Sequence, residues 1–273
     1  MPLGPAVSFP LAIGVDAAAI AVLLTFAAAI VGVVVWRIVS HPDGWRPGLL
    51  TVGLRGYTAL FFRQHVAHES TVPGSGGALV VANHRSPTDP LIMHAAASFQ
   101  AEGRRHRIVE WLTAREYSEV SGPIGWICRV ARSIPVDRGG NDMTAVKAAM
   151  RRLKDGHIVG IFPEGKINTG RGLLEFNPGL AFIATRAQVP VVPCYIDGAP
   201  GGSSMVEPFL TPARVRVRFG EPLDFSHLRR PTAKQREEIT LAIRRAIEAL
   251  MPEDERDPPP AATELSVVDP TAA

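Results

Sequence analysis

Cysteine is nearly absent from this chain of 273 residues. Cys128 and Cys194 agree with a reducing compartment, and their separation suggests no metal site. No Gly-x-Ser-x-Gly occurs, which sets aside the common serine-hydrolase arrangement. Aromatic residues make up 7% of the chain and are sparse near its basic clusters, which argues against nucleic-acid binding. No internal repeat is visible. Charge is missing from one long stretch: Ala17 to Trp36 carries none, and no Lys or Arg precedes it.

That stretch is the first thing the sequence does have. Twenty helical residues span roughly 30 Å, the thickness of a bilayer core. A secretory signal fits poorly, because its basic leader is missing and the run is long for a signal core. A buried core helix is seldom apolar all round for this length. The run therefore reads as a single membrane-spanning helix. Only Asp16 precedes it, whereas Arg37, Arg46, Arg55 and Arg63 follow. The positive-inside rule then leaves a short N-terminus outside and the body on the cytoplasmic face of the cytoplasmic membrane. Net charge is only +3, but basic residues cluster at 104–107, at 151–154 and at Arg214, Arg216 and Arg218. Each cluster alone reads as solvated surface; beside an anchor, together, they fit attraction to anionic lipid.

Periodicity divides the rest. Residues 1–39 read as the anchor, 40–75 as a membrane-proximal segment, 76–251 as one domain, and 252–273 as an acidic, proline-rich disordered tail. Within 54–62 the pattern suits either a helix lying on the membrane or one packed on the domain. Strands are expected at 78–82, 108–113, 133–138, 158–162, 189–196 and 215–219. Helices are expected at 90–99, in part of 118–132, from a cap at Asn141 or Asp142 to Lys154, and at 180–187. A last helix starts at Thr232, with Gln235 completing a capping box. Alternating strands and helices imply an α/β fold, a mixed β-sheet flanked by helices.

The richest segment is His84-Arg85-Ser86-Pro87-Thr88-Asp89, just after the apolar run 78–82. A histidine at a strand end suits general-base work, since its ordinary pKa lies near neutrality. An aspartate that reaches the far ring nitrogen fixes the tautomer and stabilises the imidazolium. The plainer reading makes Asp89-Pro90 an ordinary helix start and His84 a loop residue. Two more segments sit at strand ends. In Ile134-Pro135-Val136-Asp137-Arg138, Arg138 suits a phosphate or carboxylate, or else a plain ion pair with Asp137 or another acid. In Phe162-Pro163-Glu164-Gly165, the Gly165 N–H suits an anion, or else the segment is a simple turn. Val189-Pro190-Val191-Val192-Pro193 reads as core wall.

In order, Asn-His-x4-Asp, Ile-Pro-Val-Asp-Arg, Phe-Pro-Glu-Gly and Val-Pro-Val-Val-Pro resemble the four motif blocks of the glycerolipid acyltransferases, the 1-acylglycerol-3-phosphate (lysophosphatidic acid) acyltransferase family. The resemblance covers about residues 78–196. It implies that His84 is the general base and Asp89 its orienting partner. It implies direct acyl transfer from acyl-CoA or acyl carrier protein to a lysophospholipid hydroxyl, with no metal or redox cofactor. It assigns Arg138 to the acceptor phosphate and Glu164 and Gly165 to the shaping of the acceptor site. Two departures leave the acceptor open. Phe-Pro-Glu-Gly continues as Lys166-Ile167-Asn168 where the family has Thr or Ser, Arg, Ser, which moves the basic residue to Lys166. Phe176 is followed by Asn177 where the family often has Lys, and Arg115 stands where the second block often begins with Lys. Another lysolipid, a glycolipid or an amino-lipid therefore remains an alternative acceptor. Two rivals from other classes stand beside this. Gly160 to Lys166 matches the front of a nucleotide-binding P-loop, against which count Ile167, Pro163 and Glu164. A non-catalytic, membrane-anchored protein of the same fold would be expected to lack His84 or Asp89.

Overall fold

The computed structural model describes residues 17–67, 71–98, 107–137, 142–202, 204–228 and 230–256. Arg138, the 104–106 part of the first basic cluster and residues 257–273 of the expected tail lie outside them.

The sequence opens with α1 (Ala17–Val39) and α2 (Trp45–Leu60). There follow β1 (His65–Ala67), β2 (Ala78–Ala82), α3 (Asp89–Ala97), β3 (Val109–Ala114), α4 (Arg115–Glu119) and α5 (Pro123–Val130). Next come β4 (Ile134–Val136), α6 (Met143–Lys154), β5 (Ile158–Ile161), α7 (Gly179–Arg186) and β6 (Val191–Asp197). The order closes with α8 (Glu207–Leu210), β7 (Arg216–Phe219), α9 (Ala233–Leu250) and a 3-10 turn, Glu253–Glu255. The strands form one seven-stranded sheet in the order β1-β7-β6-β2-β5-β3-β4. Every pairing is parallel except β6 with β7. The mixed sheet flanked by helices is the architecture the sequence implied.

Alternation along the strands builds a core on each face. In β2, Val80 and its even-numbered neighbours join α2, α3 and β7 in one cluster, with Leu50, Leu54, Ile92, Val217 and Phe219. Leu79 and Val81 face the other way, onto Leu153 of α6, Leu180 and Ile183 of α7, and Ile239, Ile243 and Ile247 of α9. Those three isoleucines are spaced by one helical turn, so a single stripe of α9 covers the sheet. The helix starts as expected, with Thr232 and Gln235 in a reciprocal capping box. Gly160 of β5 has a packing reason: a Cβ there would lie 2.3 Å from Met93 Cε of α3.

Helix α2 packs a face containing Leu50, Thr51 and Leu54 onto the domain and keeps Trp45, Leu49 and Leu60 exposed. The reading of a helix packed on the domain therefore holds for one face. Its close approach to α1 needs Gly48, whose absent side chain leaves room for the Ile38 carbonyl. Helix α1 buries none of its residues against the domain and is long and apolar enough to cross a membrane. Three features were not expected. The sheet starts before residue 76, with the edge strand β1 at His65, which no period-2 run announced. Helix α8 was missed. Residues 253–255 are ordered against the domain: Gly172 N–H donates to the Glu255 carbonyl, so the expected disordered tail does not begin at Pro252.

Candidate active site

Parallel pairing of β2, β5, β3 and β4 brings His84, Phe162–Gly165, Arg115 and Asp137 to the edge of the sheet at the strands' carboxyl ends, where α/β proteins build their sites. Asn83 fixes the end of β2. Its side-chain N–H donates to the Ile196 carbonyl at 2.9 Å, and its Oδ1 accepts from Ile196 N–H at 2.7 Å. The chain then leaves the sheet at His84.

His84 is held from every side. Its backbone N–H donates to Glu164 Oε1 at 2.9 Å, and its carbonyl accepts from Asn168 N–H at 2.7 Å. The ring stacks on Phe162, 4.4 Å between centroids. Nδ1 lies 2.9 Å from Asp89 Oδ2. The same oxygen accepts from the backbone N–H groups of Arg85 at 2.6 Å and Ser86 at 2.7 Å. The Asp89 side chain is fully buried, while that of His84 keeps 18% of its surface exposed. Asp89 is therefore not the helix cap that the plainer reading allowed. Thr88 stands at the cap position, and Asp89 begins α3 with its carboxylate folded back over its own loop. A carboxylate at Nδ1 selects the tautomer with the proton there, which leaves Nε2 basic and without a protein partner among the described residues.

Glu164 works as a bridge. Its Oε1 holds His84 N–H and its Oε2 holds Leu174 N–H at 3.0 Å, so the loop after β5 is pinned at both ends. Asn168, one of the departures from the family pattern, is buried and bonded to Gly170 and Gly172. Gly165 has φ +67°, which favours glycine, and its N–H donates to the Phe162 carbonyl. The expectation that this N–H faces an anion is thereby corrected: the tight turn consumes it. Lys166 next to it is exposed and has no partner among the described residues, and the same holds for Arg171. Arg115 is engaged: Nε and Nη2 meet the two Asp137 oxygens at 2.6 and 3.1 Å. The Arg115 guanidinium holds the Asp137 carboxyl below the usual range. Asp137 thus pairs with Arg115; the reading made for Arg138 falls outside the described residues.

The sequence reading missed two further residues. Arg85 reaches away from Asp89, donates to the carbonyls of Gly170 and Gly172, and meets Glu255 at 3.3 Å. Arg244 of α9 donates to the carbonyls of Leu173 and Leu174. Arg85 stood inside the motif but gave no sign of its direction; Arg244 looked like any charge on a solvated helix face. The P-loop rival loses its support, since no helix follows Lys166 until α7 begins at Gly179. Neither cysteine suits covalent catalysis. Burial pushes the Cys128 thiol up, and burial with the nearby Asp89 charge pushes that of Cys194 up further, so both stay protonated.

Comparison with known proteins agrees with this geometry. A family model described as Acyltransferase matches residues 63–197. A 1-acyl-sn-glycerol-3-phosphate acyltransferase of Bacillus subtilis is 29% identical over 130 residues, 46% of this chain and 61% of its own. Over residues 63–197 the chain is therefore similar to the acyltransferases, and to the 1-acylglycerol-3-phosphate acyltransferases among them. An uncharacterized protein of Mycobacterium tuberculosis is 32% identical over 179 residues, 62% of this chain and 46% of its own. The chain therefore spans about half the length of the mycobacterial relative. The crystal structure of a lysophosphatidic acid acyltransferase from Thermotoga maritima shares the fold, with a TM-score of 0.58 and 22% identity over 84% of this chain and 93% of that one.

Proposed function

We propose that this protein is an O-acyltransferase that moves a fatty acyl group from an acyl thioester of coenzyme A or acyl carrier protein to the hydroxyl of a lysophospholipid. The observation that carries the proposal is the His84–Asp89 pair, with Nδ1 held by a buried carboxylate and Nε2 facing outward at a strand end. Nε2 takes the acceptor hydroxyl proton as the oxygen attacks the thioester carbonyl. Collapse of the tetrahedral intermediate expels the thiolate, which recovers the proton from the imidazolium. The products are an ester and a free thiol. Asp89 stabilises the transient imidazolium and holds the ring in one tautomer. Such base assistance is worth about 10²–10⁴ in rate.

Glu164 and Gly165 act through the loop they shape, and Arg115 through its grip on Asp137 at the rim. Lys166 and Arg138 supply positive charge for the acceptor phosphate, which favours 1-acylglycerol-3-phosphate. A second acceptor class is favoured by one observation. The amide of Asn168 is consumed inside the loop, so the Lys166-Ile167-Asn168 segment offers a single side-chain donor to an acceptor. We further infer that α1 anchors the enzyme once through the cytoplasmic membrane, with the α/β domain on the cytoplasmic face, where lysolipid, acyl-CoA and acyl carrier protein all have access.

The test is transfer from labelled acyl-CoA and acyl carrier protein to a panel of lysolipids, by the protein and by His84→Ala. Transfer to lysophosphatidic acid that disappears in the variant supports the proposal in full. Transfer only to acceptors without a terminal phosphate keeps the chemistry and replaces the acceptor. Activity unchanged in His84→Ala sinks the mechanism.

A further inference from the structure

The connection between β6 and β7 begins at the site and ends in apolar surface. Ser86 Oγ, in the His84 loop, donates to the Pro200 carbonyl at 2.7 Å. A few residues later, Met205, Val206 and Leu210 are exposed, Leu210 by 72%. This segment lies against the end of α2. Tyr57 Oη donates to the Phe209 carbonyl at 2.6 Å, and Ala213 N–H donates to the Phe61 carbonyl. Leu60, 84% exposed, stands between Tyr57 and Phe61 in sequence and adds a fourth large apolar side chain. Four such residues on two touching segments exceed the scattered apolar exposure of ordinary surface.

We infer that Leu60 and the Met205–Leu210 segment form a docking surface for an anionic lipid bilayer, separate from α1, that seats the catalytic edge of the sheet against the membrane. Two arguments select a bilayer as the occupant. The first is charge. Val215 N–H donates to the Phe62 carbonyl, so exposed Arg63 and Arg214, the sequence neighbours of that pair, flank the patch together. No acid occurs from 54 to 65, and Glu207 is the one acid from 198 to 215. Apolar side chains bordered by arginine match a headgroup layer with acyl chains beneath it. The second is continuity. Helix α2 starts beside the membrane-length helix α1 and ends at Leu60, and its outward residues Trp45 and Leu49 are apolar as well. This inference does not depend on the acyl-transfer reading, because it concerns where the domain sits and not what it does.

The experiment uses the full chain reconstituted into vesicles of phosphatidylcholine and phosphatidylglycerol. Native Cys128 and Cys194 are buried, so a single cysteine introduced by Val206→Cys or Leu210→Cys takes an environment-sensitive bimane label. Glu237→Cys, exposed on α9 at the opposite face of the sheet, is the control. The expected result is several-fold less quenching by aqueous iodide at 206 and 210 than at 237, with strong quenching by doxyl-labelled lipid at 206 and 210 only. Arg63→Glu with Arg214→Glu restores iodide access at both. Iodide access at 206 and 210 equal to that at 237 overturns the inference. So does shielding from iodide and lipid quencher alike, which would mean that protein, such as a second copy of this chain, covers the patch.

Discussion

At the residue scale, one carboxylate oxygen carries the organisation of the site. Asp89 Oδ2 gathers the His84 ring and two backbone N–H groups, so it shapes the loop and orients the imidazole at once. Asp89→Asn keeps the volume but replaces one acceptor oxygen with a donor. We expect kcat to fall by about 10²–10⁴, the range of base assistance, with little change in the acceptor KM. Steady-state kinetics on the reconstituted protein check this. Glu164→Gln tests a different function, since it leaves the His84 ring untouched and breaks the bridge between His84 N–H and Leu174 N–H. One buried N–H would then meet an amide donor. Loss of about 1–3 kcal/mol of stability is expected, measured by denaturant unfolding, together with reduced activity.

At the element scale, the far end of β3 holds a second buried carboxylate. Glu110 is fully buried, with Arg152 Nε and His157 Nδ1 each at 3.2 Å. Burial outweighs the opposing charges of Arg152 and Arg132 and pushes its pKa up to about 7. The folded state thus binds a proton more tightly than the unfolded chain does. Stability from this group is full below the ordinary glutamate pKa and is lost as pH rises through about 7. Glu110→Gln should therefore raise Tm relative to the parent at pH 8 and change it little near pH 4, as followed by thermal unfolding. Gly160→Ala should destabilise β5 against Met93 by about 1–3 kcal/mol, as overpacked cores do, with partial recovery when Met93 is shortened. Elements of this kind were the legible ones. Strand β2, the capped α9 and the strand ends carrying His84 and Glu164 announce themselves through periodicity, caps and breakers. Strand β1 was not legible, because three residues at a sheet edge carry too short a pattern. Nor were the duties of Arg85, Asn168 and Arg244, which depend on where loop carbonyls lie after folding; no spacing rule encodes that.

At the scale of the whole molecule, α1 is tied to the domain only through α2, because none of its residues is buried and its close approach is at Gly48. A chain starting at residue 40 should keep the unfolding transition of the α/β domain and sediment with anionic vesicles more weakly than the full chain; sedimentation with vesicles and thermal unfolding read the two halves. The other end is not separable in this way. Glu255 meets Arg85, accepts from Tyr195 Oη, and its carbonyl holds Gly172 N–H. A chain ending at 251 should melt lower and lose activity, whereas one ending at 256 should match the parent in both.

Strand β1 pairs only with β7, His65 opposite Arg216. Roughly 150 residues separate the two, so at about 5–20 residues per second a ribosome needs on the order of ten seconds or more to deliver the partner. During that interval β1 waits with its ladder groups unmatched, an opportunity for pairing with the wrong chain. Three residues offer a short template, and exposed Arg63 just ahead of them is an unwelcoming neighbour for another strand. The brevity that hid β1 from sequence reading is thus protective while the chain is still being made.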